Sequence, residues 1–230
     1  MMRRTGLLKV FLPELLEGYL KRQNRYHRYT IYRHIMETID QVDPNPVLRL
    51  TALFHDIAKP RCREKVEGQW RFLGHVEASS GLAGEIMGRL RFGNEITKQV
   101  THLIAHHIID YGPQWSDGAV RRFVRRVGPD NWEYLIAFRR ADLKAHGMGG
   151  EGLRLLEALE ERVREQVRGT LTERTQDLAI DGHKVMEVLG ISPGPEVGRA
   201  LEKLLEAVTD HPERNTEAGL VEMLRGIHRG

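Results

Sequence analysis

The segment Leu53-Phe54-His55-Asp56-Ile57-Ala58-Lys59-Pro60 sets a histidine beside an aspartate in apolar sequence. From Val47 to Ala58 nearly every residue is apolar: Val47, Leu48, Leu50, Ala52, Leu53, Phe54, Ile57 and Ala58. A helix that is hydrophobic nearly all round is buried on all sides. A carboxylate in that setting costs several kcal/mol unless it is paired or bound to a metal, so His55 and Asp56 need partners. Lys59 follows His55 by four residues, on the same side of the helix. Pro60 disfavours helical geometry at the residue before it. The pattern predicts a site at the C-terminal end of a buried helix.

Outward from this segment, two more polar residues fall on core-facing stripes. Residues 30–41 read as an amphipathic helix with Ile31, His34, Ile35, Thr38 and Ile39 on one face. Residues 131–146 read as another, with Leu135, Phe138, Asp142 and Ala145 sharing a face. Singly, His34 reads as a hydrogen-bonded core histidine, and Asp142 as a partner for Arg139 or a helix end. Together with His55 and Asp56 they form a mixed nitrogen and oxygen set suited to a divalent ion: Mn, Fe, Ni, Co, Zn or Mg. A second group comprises His75, which opens a helix where the dipole attracts anions, and the pair His106-His107. These offer either a second metal site or a grip on a substrate phosphate. His27 and His102 read as solvent-exposed or locally bonded.

Composition bounds the rest. The 230 residues are 40% hydrophobic and 29% charged, as in a globular protein, and allow one large domain or two modest ones. No apolar run reaches 18 residues, so no membrane partner is expected. The basic, then apolar start is interrupted by Pro13 and Glu14, and it reads as a bent helix over residues 7–23 rather than a signal peptide. The lone Cys62 allows no internal disulfide and fits a cytoplasmic location. Net charge is only +3, but arginines cluster at Arg121, Arg122, Arg125, Arg126, Arg139 and Arg140. Such clusters suit phosphate-rich ligands, and they equally suit solvated helix faces.

The remaining chain reads as helices, with a short hairpin or ordered loop over residues 61–74 around Val66-Glu67-Gly68-Gln69-Trp70. Helices are expected over 75–90, from Asn94 as cap to about 109, then near 117–127. Gly147-Met148-Gly149-Gly150 is the clearest linker. Beyond it, 151–168, 182–189 (Asp181 cap, Gly190 stop), 196–208 and a last helix capped by Asn215 are expected. The fold class is therefore all-α, with a domain over 1–147 and a C-terminal helical subdomain over 151–230.

The order His34, His55-Asp56, Asp142 resembles the HD superfamily of metal-dependent phosphohydrolases, and FHDIAKP is close to that family's central motif. More narrowly, TGLLKVFLPEL, QNRYHRYTIYRHIMETID, RFLGHVEASSG and RRADLKAHG resemble the HD region of bacterial tRNA nucleotidyltransferases (CCA-adding enzymes) and poly(A) polymerases. LAIDGHKVMEVLGISPGPEVGRALEKLLEAV and ERNTEAGLVEMLRG resemble their C-terminal segment, so the likeness covers nearly the whole chain. The polymerising head's Gly-Ser and Asp-x-Asp motifs are absent from this sequence, so nucleotide addition is not expected from this polypeptide alone.

The resemblance implies an HD-type phosphodiesterase or phosphatase acting on nucleotide or RNA phosphate esters, with His34, His55, Asp56 and Asp142 as metal ligands. Asp56, Lys59, His75 and His107 are the expected catalytic residues. The alternative is a non-catalytic RNA-binding partner of a separately encoded tRNA nucleotidyltransferase, in which the arginine clusters would carry tRNA.

Overall fold

The structure, a computed structural model, describes residues 2–24, 28–147, 150–168 and 174–227. His27 and Met148-Gly149 of the expected linker lie outside them. The chain is all-α apart from one hairpin. Short helices α1 (Leu7–Phe11) and α2 (Pro13–Glu17) precede α3 (Ile31–Gln41) and α4 (Pro46–Phe54). The hairpin β1 (Glu64–Val66) and β2 (Gln69–Arg71) leads to α5 (His75–Arg89) and α6 (Asn94–Ala105). Then come α7 (Asp117–Val127), α8 (Trp132–His146), α9 (Gly150–Arg168), α10 (Gly182–Leu189), α11 (Pro195–Asp210) and α12 (Glu217–Ile227). No helix is long and apolar enough to cross a membrane among the described residues.

Local chemistry accounts for most boundaries. Thr30 caps α3 by accepting from the Arg33 N–H, and Asn45 caps α4 by accepting from Val47 and Leu48 ahead of Pro46. The helix carrying the HD pair is shorter than its apolar run suggests: α4 stops at Phe54. The chain then tightens into turns in which Ile57, Lys59 and Arg61 donate to carbonyls three residues back. Ser79 Oγ on α5 accepts the Ala58 N–H at 3.2 Å and ties this turn down. The expected helix over 7–23 ends at Glu17, and α6 ends at Ala105, short of residue 109. Asn94 is the first residue of α6 rather than its cap, which is Gly93. Thr216, not Asn215, caps α12 by accepting from Gly219. Asn215 instead joins Asp177 to Ala179.

Two compact units emerge, Met1–Tyr111 with Asp130–Ala158, and Gly112–Pro129 with Leu159–Gly230. A division at residues 147–151 does not coincide with them. The reason is the packing of α7 on α11, which draws residues 112–129 into the second unit. The first unit's core includes Ile31, Ile35, Phe54, Ile57, Ile86 and Ile104, and it supports α3, α4 and α5 where the polar site begins. The second has its own core around Val185, Leu204, Val208, Leu220 and Leu224.

Arginines on α7 close the second unit. Arg121 donates to Thr209 O at 2.6 Å, to Asp210 O at 2.8 Å and to Gln166 Oε1 at 2.6 Å. It thereby meets carbonyls at the C-terminus of α11 that have no partner in the helix. Arg122 pairs with the Asp210 carboxylate, and Arg125 approaches Thr209 Oγ1 at 3.4 Å. These contacts account for three members of the arginine cluster without any RNA, and leave Arg126 as its exposed member. Arg121→Ala should lower unfolding free energy by about 2 kcal/mol, since charged hydrogen bonds are removed from a part-buried helix end. Denaturant titration should show a lower midpoint with an unchanged slope, and an unchanged midpoint would mean the clamp contributes nothing.

Candidate metal centre

Three elements of the first unit deliver four ligand groups to one point. His34 comes from the buried face of α3, His55 and Asp56 from the turn after α4, and Asp142 from the buried face of α8. All four are at least 98% buried. His34 Nε2 lies 3.2 Å from His55 Nε2, 3.0 Å from Asp142 Oδ1 and 3.5 Å from Asp56 Oδ2. His55 Nε2 lies 3.3 Å from Asp56 Oδ2 and 3.5 Å from Asp142 Oδ1. Ligands at roughly 2.0–2.2 Å from a tetrahedral ion are about 3.3–3.6 Å apart, and cis ligands of an octahedral ion at about 2.1 Å are roughly 3.0 Å apart. These five separations span those spacings; His34, His55 and Asp56 form one group that could hold a divalent ion, and Asp142 stands beside both histidines.

A second group shares Asp56. His75 Nε2 approaches Asp56 Oδ1 at 3.6 Å, and ligand atoms of Asp56, His75 and His107 lie within 4.8 Å of one another. Asp56 Oδ1 is buried and has no hydrogen-bond partner among the described residues, as expected of an atom awaiting a cation or a substrate proton.

The rings are aimed by local tethers. Nδ1 of His55 meets Ala52 O at 2.9 Å, that of His75 meets Phe72 O at 2.6 Å, and that of His107 meets Ile104 O at 2.7 Å. In each case the carbonyl belongs to the residue three positions earlier. An Nδ1–H donated to a carbonyl leaves the Nε2 lone pair of the neutral ring facing the centre.

The field at the site favours cations. Burial opposes ionisation of Asp56, yet the Lys59 ammonium and the His55 and His34 imidazoles hold its carboxyl well below the usual carboxylate range. Burial likewise opposes Asp142, but His34, His55 and Arg139 keep it ionised. His55 is driven down by burial and up by the two carboxylates, which prevail and raise it to about 9. A divalent ion would replace that proton. Burial lowers His75, and with the nearby His55 charge it lowers His107 to about 3, so both rings present neutral nitrogen.

Lys59 Nζ donates to Asp56 Oδ2 at 2.7 Å, and the Arg139 guanidinium grips Asp142 Oδ2. Both line, with His75, His107 and the hairpin residues Trp70 and Arg71, an open cavity of about 360 Å³ over the centre. That is the low end of small-ligand pockets. His106 is not part of either ligand group: its Nδ1 meets His102 O at 2.9 Å, and the two rings lie 4.4 Å apart. Arg140 sits part-buried on α8 and does not line the cavity.

One residue escaped the sequence reading. His146 stacks on His34 at 5.0 Å, places Nε2 3.7 Å from Asp142 Oδ1, and forms a further possible ligand group with both. Burial lowers it to about 4, so it too is neutral. Its spacing of four residues from Asp142, one helical turn, was the available signal.

Histidines and aspartates converging between helices, with the His55-Asp56 pair at the helix end, define a helical metal-binding class. This chain belongs to the HD-domain family, whose HD domain matches residues 27–144, just over half of the sequence. Residues 148–224 match tRNA nucleotidyltransferase domain 2. Among similar proteins, a CC-adding tRNA nucleotidyltransferase of Thermus thermophilus is 35% identical over 216 residues, covering 90% of this chain and 47% of that protein. An A-adding tRNA nucleotidyltransferase of Deinococcus radiodurans is 31% identical over 222 residues, covering 88% of this chain and 48% of that protein. The chain spans about half the length of the curated relatives it matches.

Removing an anionic ligand and removing a flanking histidine should differ in degree. Asp56→Ala is expected to abolish metal binding while helical circular dichroism persists. His146→Ala should bind with affinity reduced roughly 10–100-fold, the usual cost of removing a group that orients or supplements ligands. Competition with a chromophoric chelator measures both. A full metal equivalent retained at wild-type affinity in Asp56→Ala would remove that residue from the ligand set.

Proposed function

We propose that the chain is a divalent-metal-dependent phosphohydrolase, a phosphodiesterase or phosphatase acting on nucleotide or RNA phosphate esters. The observation that carries this reading is the set of 3.0–3.5 Å separations that His34 and His55 make with each other and with Asp56 and Asp142, beneath an open cavity. A bound ion supplies Lewis acidity, polarising a phosphoryl oxygen and lowering the pKa of a coordinated water from 15.7 toward about 7. His34, His55, Asp56 and Asp142 would hold it.

The chain's own groups then have separable tasks. Asp56 presents one carboxylate oxygen to the first ligand group and the other toward His75, so it would orient the attacking water beside the phosphoryl group. Lys59 and Arg139 place positive charge in the cavity where charge accumulates on the phosphoryl oxygens. His75 and His107, aimed inward by Phe72 and Ile104, would meet those oxygens or hold a second ion. Both relatives are tRNA nucleotidyltransferases, which makes tRNA the supporting RNA context.

Metal analysis followed by a panel of nucleoside phosphates, cyclic phosphodiesters and RNA ends, with that metal restored, tests the proposal. His55→Ala is expected to be metal-depleted and inactive at any substrate concentration. His75→Ala and His107→Ala should keep at least one ion per chain and show reduced kcat, with a raised KM if the contact also holds the ground state. Complete metal loss in His75→Ala would move that ring into the primary ligand set. A fully loaded wild-type protein that binds RNA and hydrolyses nothing on the panel would support the RNA-binding partner reading instead.

A further inference from the structure

The cavity over the metal centre adjoins a second cleft, of about 680 Å³, lined by Arg22, Gln23, Asn24, Arg28, Tyr29 and Arg33, with Thr30 at its wall. Asn24 lines both, so the two spaces share that residue as a wall. The backbone tie from the Arg28 N–H to His146 O, at 3.3 Å, sets this edge against the end of α8. Gly147, at φ +74°, lets the Arg28 stem pack there: a β-carbon at 147 would stand 3.2 Å from Arg28 Cδ.

Three features give the second cleft a chemical character. Among the described residues its lining holds three arginines and no carboxylate, and Glu37 pairs with Arg33. Two guanidinium groups stand near the Tyr29 ring, with Arg28 at 5.7 Å and Arg33 at 5.9 Å from its centroid. Gln23 is 93% buried, and its Oε1 has no hydrogen-bond partner among the described residues. Its Nε2 donates to Tyr29 O at 3.5 Å. A buried acceptor without a donor costs roughly 1–3 kcal/mol, so a ligand that supplies an N–H or O–H is favoured here.

We infer that this cleft is a subsite for the nucleotides adjoining the reacting phosphate, so that the substrate is the end of a single-stranded oligonucleotide rather than a free mononucleotide. Arg22, Arg28 and Arg33 meet backbone phosphates, as guanidinium forks do. Tyr29 offers an aromatic surface to a base. Gln23 Oε1 accepts from a base amino group or a ribose hydroxyl. A free phosphate would use the arginines but leave Gln23 and Tyr29 without a task. The inference rests on the hydrolase reading for its direction, since the strand end enters the metal cavity past Asn24.

The test uses the full chain and a fluorescent single-stranded oligoribonucleotide ending in a 3′-phosphate, with binding followed by anisotropy across a salt series. Charge reversal in the double variant Arg22→Glu, Arg28→Glu should weaken binding at least tenfold. It should also flatten the salt slope by about 1.4, at roughly 0.7 for each single-strand phosphate that is no longer neutralised. Gln23→Leu should weaken binding severalfold, with thermal stability lowered at most by the loss of the long Gln23 Nε2 bond to Tyr29 O. Unchanged affinity and slope in the double variant would return the arginines to a solvated face and overturn the subsite. Hydrolysis of bis(p-nitrophenyl) phosphate, which has no adjoining nucleotide, reports on the metal cavity alone. An equal fall in both readouts would place the effect in that cavity and also overturn the subsite. A wild-type protein that hydrolyses neither substrate sinks the hydrolase reading, while the anisotropy series still decides the cleft.

Discussion

Two buried carboxylates, Asp56 and Asp142, set the terms for the first unit. Neither can remain ionised at that depth without positive charge nearby. The structure supplies it from several directions: Lys59 and the imidazoles around Asp56, and Arg139 with His34 and His55 around Asp142. The stability of the apolar layers around α3, α4 and α8 therefore depends on a polar centre that they enclose. Removal of one partner leaves a buried charge uncompensated, which is more costly than never having built the pair.

The helix that leads to the HD pair stops at Phe54. The tighter turns after Phe54 keep Lys59 Nζ on Asp56 while His55 Nε2 still faces His34. Ser79, reaching back from α5 to the Ala58 N–H, holds that geometry in place. The site is thus a product of the helix ending where it does.

Much of this was readable from residue order. His34 and Asp142 stood out because period 3.6 put each on an apolar stripe where a polar group is disfavoured, and the structure brings both to the HD pair. The turn at Glu67-Gly68 was legible because it interrupts a short run with β character. What could not be read depended on pairing across distant sequence. Nothing local indicates that Arg121 reaches the end of α11, or that this interaction draws α7 away from its sequence neighbours. The cleft at Gln23 was not legible either, since no periodic pattern links Gln23 to Arg33, which line it together. His146 differs: its place one turn after Asp142 was visible, and the apolar-stripe criterion passed over it because a neutral histidine near a helix end looks unexceptional.

The three histidine tethers to carbonyls three residues back divide two kinds of information. Ring orientation is encoded within single turns, at Ala52, Phe72 and Ile104, and survives any small slide of one element past another. Ring separation is encoded only by how those elements pack. The spacing of the candidate ligands therefore belongs to the apolar contacts of α3, α4, α5, α6 and α8. Exchanging a core methyl group would shift one ring relative to another while each keeps its tether and its aim.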